Sequence, residues 1–361
     1  MAGNGETIKC AVKEFRQKKG LSQGELARLV GLRRQAVYDL ESGRYLPNTA
    51  VALRLARALG CTVETLFFED ASARFEGLHL LNHAEAGRLA LAQVREKLVG
   101  VPLGGGPISF KLDTADGLLL ADKTVDCLFP SEQLADTILI LGCDPALDLL
   151  NGLMAKTASK IRARTVFASS RRALTAVSEG HAHVAGTHYH GFGASDGNLE
   201  AVRALSLDCL MIAFSGQEEG LMVAPGNPLG VRSVEDLAAI RFVNREEGAA
   251  IRKLLDSELN RLGLPASGGC AEEVRSHFEG AIRVAGGAAD AAPGLRIVAE
   301  SLGLDFVPLA ATRCDLVIPK DLRDQPGIMV LLDILQSSGL RKELRSLPGY
   351  DASEVGNVVS G

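Results

Sequence analysis

The run from Leu21 to Pro47, LSQGELARLVGLRRQAVYDLESGRYLP, restricts the fold of this chain more than any other segment. Leu21, Leu26, Leu29 and Val30 recur at helical spacing, and Gly31 stands where a left-handed turn costs least. Leu32, Val37 and Leu40 then continue an apolar face on a second short helix. The other face of that helix holds Arg33, Arg34, Gln35 and Tyr38. An arginine pairs bidentately with guanine or grips phosphate, and a glutamine pairs with adenine, so this helix can lie in a DNA major groove and both hold and read it. Gln23, at the start of the preceding helix, is positioned to touch the DNA backbone.

Residues 8 to 68 resemble the phage-repressor type (Xre/Cro family) helix-turn-helix domain. The likeness rests on a first helix expected from Ile8 to Lys19, the LSQxELA opening, the basic helix, the ESGRxxP turn from Glu41 to Pro47, and ALRLARALG from Ala52 to Gly60. It implies DNA contacts from Gln23, Arg34, Gln35 and Tyr38, with Arg44 in the closing turn. Arg33 departs from the pattern, because the family most often has Ser or Thr there; the helix cap is lost and a phosphate anchor is kept. Such a helix reads only a few base pairs, so a homodimer on an inverted-repeat operator is expected.

With 361 residues, 47% hydrophobic and 23% charged, the chain can bury more than one core. MAGNGETIK has no apolar run, so neither signal peptide nor membrane anchor is expected. Seven cysteines without a CxxC pair argue against a disulfide framework and a common zinc site, which suits a reduced, cytoplasmic protein. The net charge of −5 hides a division: residues 1 to 70 carry +3 and the remainder −8. A basic reader is joined to an acidic partner that does not itself attract nucleic acid.

Sequence character changes after Phe68. Residues 1–68 are read as the helix-turn-helix domain, 69–77 as a linker and 78–361 as a second domain with its core in 137–318. Leu89 to Val101 has helix-compatible and strand-compatible parts, and ISFKLDTADGLLLA reads as two strands around Asp116-Gly117. Gly104-Gly105-Gly106-Pro107 is read as a turn, since it lacks the strand, helix and lysine of a phosphate-binding loop. From Thr137 onward strands alternate with helices: TILILGC, then DPALDLLNGLMAKTAS, then ARTVFASS, RRALTAVSEG and HVAGTHYH. LMIAFSGQEEGLMVAP is read as a pair of strands and SVEDLAA as a capped helix. That order predicts a parallel sheet covered on both faces, with ligands beyond the carboxyl ends of its strands.

From Thr137 to Ile318 the chain resembles the periplasmic-binding-protein-like (type II) domain of cytoplasmic regulators and, more distantly, binding proteins for molybdate and tungstate. The overall fold class expected is therefore an all-α helix-turn-helix bundle followed by a two-lobed α/β domain. The resemblance implies a pocket of Cys143, Asp144, Ser169, Ser170, Thr187, His188, Asn244 and Arg245, with the backbone of Gly248, Ala249, Ala250 and Ile251. Arg245 would offer a fork of donors, the serines hydroxyls, and the helix start near Ala249 free amides, all suited to an anion. One departure counts against a bare oxyanion: the relatives' GSGTR is Gly248-Ala249-Ala250-Ile251-Arg252 here, without its two hydroxyls. Asp144 also disfavours an adjacent oxyanion unless it is protonated or paired.

Ordinary roles compete with these. Ser169 and Ser170 suit a helix cap, and Arg245 suits an ion pair with Glu246. His181, His183, His188 and His190 alternate along a strand, yet no acidic or cysteine residue is spaced along the sequence to complete a metal shell. No catalytic motif appears, so an enzyme is not expected and no cofactor is implied. The reading is a one-component transcriptional regulator with a small anionic effector: molybdate, tungstate or a molybdenum-cofactor-related molecule. The alternatives are a DNA-binding protein whose second domain serves only oligomerisation, and an enzyme with a DNA-binding appendage.

Overall fold

The computed structural model describes residues 8–69, 77–103, 113–129, 132–158, 160–191, 196–264 and 270–360. It divides into two compact units, one of residues 1–74 with 126–128 and the other of residues 75–125 and 129–361.

The first unit is helical: α1 (Val12–Lys18), α2 (Gln23–Val30), α3 (Arg34–Glu41), α4 (Thr49–Leu59) and α5 (Val63–Leu66). Val12, Leu26, Val30, Val37, Leu40, Leu55, Leu59 and Leu66 close its core. The expected start of the first helix at Ile8 is corrected. Ile8–Cys10 is a strand, β1, paired antiparallel with β2 (Phe67–Glu69), which commits those backbone groups to a ladder before the helix begins at Val12. Leu29, expected on the apolar face, is 63% exposed, because positions 26, 27 and 30 face the core.

The second unit is built on a long curled sheet. Its strands are β8 (Thr137–Gly142), β9 (Arg162–Phe167), β10 (Val184–Thr187), β11 (Cys209–Val223), β12 (Phe242–Arg245), β13 (Cys270–Val274), β14 (Ala291–Leu295) and β15 (Asp305–Pro319). Their spatial order is β13-β12-β14-β11-β15-β10-β8-β9. β8, β9 and β10 run parallel in one lobe; β12, β13 and β14 run parallel in the other. β11 and β15, 15 residues each and antiparallel to one another, pass through both. The expected all-parallel sheet is therefore mixed. The expected pair of strands in LMIAFSGQEEGLMVAP is one strand, because β15 supplies a continuous partner for its whole length.

Strand alternation sets the layers. Ile138 and Ile140 join Phe214, Leu316, Leu331 and Leu335 on one face, while Leu139 and Leu141 join Leu174, Val177 and Met211 on the other. That second face is also covered by β4 (Gly87–Val94) and β5 (Lys97–Pro102), through Ala90, Ala92, Val94, Val99 and Val101. These hairpin strands belong to a five-stranded sheet with β3 (His79–Leu80), β6 (Gly117–Leu119) and β7 (Val125–Cys127). Leu89 to Val101 is thus strand throughout, apart from the turn at Arg95 and Glu96. The GGGP turn and the expected ISFKLD strand lie outside the described residues, in whole or in large part.

Helices flank the sheet: α6 (Glu132–Ala135), α7 (Asp148–Thr157), α8 (Ser170–Ser178), α9 (Gly197–Ala204), α10 (Ala250–Arg261), α11 (His277–Ala285), α12 (Arg296–Ser301), α13 (Pro326–Gln336) and α14 (Ser338–Arg345). The SVEDLAA segment is a 3₁₀ turn, Val234–Ala239, rather than an α-helix; its Ser233 and Asp236 form the expected cap. Two short strands, β16 (Tyr350–Asp351) and β17 (Val358–Ser360), return to pair with β11. No helix among the described residues is long and apolar enough to cross a membrane.

Candidate functional site

In the helical unit, α2 starts on a capping box in which Ser22 and Glu25 satisfy each other's backbone amides. Gly31 then turns the chain at φ 68°, a conformation that penalises any side chain, and delivers it to α3. Val37 and Leu40 anchor α3 inward, so Arg33, Arg34, Gln35 and Tyr38 stand exposed along its other face, with exposed Arg44 beyond its end. Arg33 occupies the cap position in extended conformation without a side-chain cap bond, since a guanidinium has no acceptor to offer the helix amides. Gln23 is half-buried, and its amide donates to Glu41 Oε2 at 3.0 Å. Arg16 meets the same carboxylate at 2.5 Å. Glu41 titrates below the usual carboxylate range: burial opposes this, but Arg16 and Gln23 outweigh it. Asp39 was missing from the sequence reading. It accepts from Gln35 and Arg44, each at 3.0 Å, and Arg44 lies 5.4 Å from the Tyr38 ring. The i,i+4 spacing of Gln35 and Asp39 was the available signal.

The second candidate site lies where the lobes meet over β11. Residues 215, 217 and 219 share one face of that strand. Ser215 donates to Asp144 Oδ2 at 2.7 Å, while Tyr350 and the Ala146 amide donate to Asp144 Oδ1 at 2.5 and 2.9 Å. That carboxylate is buried and saturated with donors. Its field and, above all, burial push the Tyr350 phenol well up. Two residues on, Gln217 is 3% exposed, and among the described residues neither its amide nitrogen nor its amide oxygen has a hydrogen-bond partner. Glu219, fully buried, lies 3.3 Å from His188 Nε2 and 2.5 Å from His190 Nε2. Cys143 Sγ lies 3.3 Å from His188 Nδ1 and 3.8 Å from its Nε2. Burial alone would lower the His188 pKa; the Cys143 sulfur, Glu219 and Asp144 outweigh it and raise it to about 9. The His188 ring thus contacts both a sulfur and a carboxylate.

From the opposite lobe, Arg245 reaches this region but not as an open fork. It is 1% exposed, bonded twice to Glu246 at 3.1 and 3.0 Å, and 3.2 Å from His277 Nδ1. The donors that the resemblance assigns to an anion are engaged here by Glu246, the ion pair that the sequence also suited, and by His277. Burial, then Arg245 and His188, drive the His277 pKa well down, so this ring is neutral. His277 Nε2, also buried, has no well-formed hydrogen bond among the described residues.

The remaining sequence candidates divide. Ser170 accepts from the His188 amide at 3.2 Å and so belongs to the cluster; Ser169 occupies the cap position of α8 without a side-chain cap bond. Thr187 is turned to Asn198 at 3.4 Å, and Asn244 to Asp256 at 3.2 Å, which gives both structural partners. Ala249 caps α10, and Ala250 and Ile251 are buried in its first turn. Gly248, at φ 94°, lies beneath the Arg171 guanidinium, where a Cβ would come within 2.5 Å. Arg171 donates to the Glu247 carbonyl at 3.3 Å, and Lys253 stands 5.2 Å from the Tyr189 ring, so the lobes are in contact through the 247–253 segment. Ser215, Gln217, Glu219, His277 and Tyr350 escaped the sequence reading, and His190 entered it only as a member of the alternating histidines. Three of them were signalled by polar residues at every second place in AFSGQEEG, inside an apolar run. Glu219 also supplies the acid beside His188 and His190 that no local spacing suggested, yet among the described residues no group of three or more His, Cys, Asp or Glu could hold a metal ion.

Comparison with known proteins matches two family models: a helix-turn-helix over residues 12–66 and a PBP superfamily domain over residues 151–336, slightly more than half of the chain. The protein YvgK of Bacillus subtilis is 28% identical over 229 residues, 62% of this chain and 73% of its own length. An HTH-type transcriptional regulator of Methanothermobacter thermautotrophicus is 44% identical over 64 residues, 18% of this chain and 93% of its own. Among solved structures, the regulatory domain of CcmR from Synechocystis PCC6803 in complex with 2-PG aligns with a TM-score of 0.45 and 12% identity, over 55% of this chain and 94% of its own. The chain belongs to the PBP superfamily, and its N-terminal domain is the helix-turn-helix of transcriptional regulators.

Proposed function

We propose that this chain is a one-component regulator, working in the cytoplasm. It grips an operator through Arg33, Arg34, Gln35, Tyr38 and Arg44, and reports a small ligand held in the cleft over Gln217. The single observation that carries the ligand reading is the Gln217 amide: a buried donor and acceptor without partners costs free energy that folding alone does not repay. A ligand presenting both an acceptor and a donor edge would satisfy it. Asp144 is closed to a ligand by its three donors, and Glu219 repels a second anion. Of the effectors suggested by the sequence, the Gln217 amide favours a molybdenum-cofactor-related molecule, which brings amide-like edges, over bare molybdate or tungstate.

Closure on such a ligand supplies a two-state element: the pocket residues are buried while the lobes touch, so entry requires them to part. On DNA, a dimer across an inverted repeat is the expected mode. The test is native mass spectrometry with elemental analysis of the purified chain, then calorimetry with molybdate, tungstate and a pterin phosphate on parent and Gln217→Ala. Footprinting on a selected operator with and without the retained molecule completes it. Equal affinity of parent and variant would remove the cleft from the reading, and a footprint insensitive to the molecule would remove the sensing role.

A further inference from the structure

A second cavity, of about 350 Å³, lies beside α8, between that helix and the small sheet. Its floor is apolar, from Leu141, Val166 and Phe167, while Arg171 and Arg172 stand on its wall with His79 and His181. The charges on this wall are poorly compensated. Arg171 bonds the Glu247 carbonyl and Arg172 bonds the Asn82 side-chain oxygen, and among the described residues neither meets a carboxylate in an ion pair. Nearby Arg162 and Arg164, by contrast, both pair with Asp116. The His79 and His181 rings stack at 3.5 Å, and Lys97 Nζ sits 3.3 Å from His181 Nε2. Burial, then His79 and Lys97, lower the His181 pKa, consistent with a positive local potential; Glu179, the wall's acid, is 3.2 Å from that ring.

We propose that this cavity is a second ligand site, distinct from the cleft over Gln217, for a small organic anion. The apolar body would rest on Leu141, Val166 and Phe167, and a phosphate or carboxylate would bridge Arg171 and Arg172. Its size is that of a small-molecule pocket. Guanidinium pairs are suited to planar or tetrahedral oxyanions. Occupancy acts on the lobes through two residues of the cavity. Arg171 makes the bond to Glu247 across the lobes and covers Gly248, and the Phe167 ring lies 5.9 Å from the Arg245 guanidinium. An anion that draws Arg171 inward competes with that bond, so the second site opposes closure of the first.

Phenyl phosphate is the probe, with inorganic phosphate and benzyl alcohol as controls, titrated calorimetrically into the full chain. It should bind at least about tenfold more tightly than either control. Arg172→Gln should weaken it about tenfold or more, the effect of losing one charge-assisted bond. Thr175→Trp, an exposed position on the cavity wall, should abolish binding, and Gln217→Ala should leave it unchanged. If Thr175→Trp does not fold, Arg172→Gln, also on the surface, decides. Absence of binding, equal binding in the parent and Arg172→Gln, or loss in Gln217→Ala would each overturn the proposal; the last would move the probe into the cleft.

Discussion

Replacing Gln217 by methionine should make the ligand-free protein more stable and deprive it of its ligand. Methionine has nearly the same volume and adapts to irregular space, so the packing at this buried position is preserved. What disappears is an amide whose nitrogen and oxygen are both buried and unpartnered. A single unsatisfied polar group costs about 1 to 3 kcal/mol, and methionine recovers apolar burial in its place. For a large domain about 1 kcal/mol corresponds to roughly 2 to 4 °C, so the melting temperature of the larger unit should rise by about 2 to 10 °C. Differential scanning calorimetry is the suitable assay, because the chain has no tryptophan to report unfolding and its two units can melt separately. The molecule retained by the parent on purification should be absent from the variant. A variant less stable than the ligand-free parent would mean that the amide is already satisfied. A more stable variant that still retained the molecule would mean that Gln217 does not touch it.

On DNA, Gln35→Ala should relax base preference at one position by about 1 to 3 kcal/mol, while Arg33→Ala should weaken all sequences and reduce the salt slope by about 1; equal operator and random-DNA binding in both variants would exclude α3 as the reading helix. Arg245→Ala should destabilise the larger unit by about 2 to 3 kcal/mol in urea unfolding, since it strips a buried guanidinium from Glu246, His277 and the Arg275 carbonyl; an unchanged midpoint would contradict that structural role. The pH profile of stability should peak near neutrality. Burial lowers the His183 pKa to about 4, so its contribution is present above about 6.5 and is lost, by about 3 kcal/mol, as pH falls toward 4. His188, raised to about 9, contributes fully below about 6.5 and loses its contribution as pH rises through 9. Urea midpoints measured from pH 4.5 to 9.5 should fall on both sides, and His183→Gln should flatten the acid limb.

The helix-turn-helix was legible from the chain alone because its determinants are local. Ser22 and Glu25 cap one helix across three residues, Gly31 turns the next, and Val37 and Leu40 orient the basic face by period alone. Half of the cluster over β11 was legible for a similar reason: Cys143, Asp144 and His188 stand directly after the ends of β8 and β10. Its floor was not. Ser215 meets Asp144 across 71 residues and Tyr350 meets it across 206, and Glu219 comes to His188 on a strand whose full length exists only because β15 pairs along it. The pairing of Arg245 with Glu246 was legible as a neighbour in sequence, but its contact with His277, from a different helix, was not. Periodicity and turn chemistry determine which segments form helices and strands. Which side chains face each other over long separations is settled by the order of strands in the sheet, and that order follows from packing summed over the whole domain.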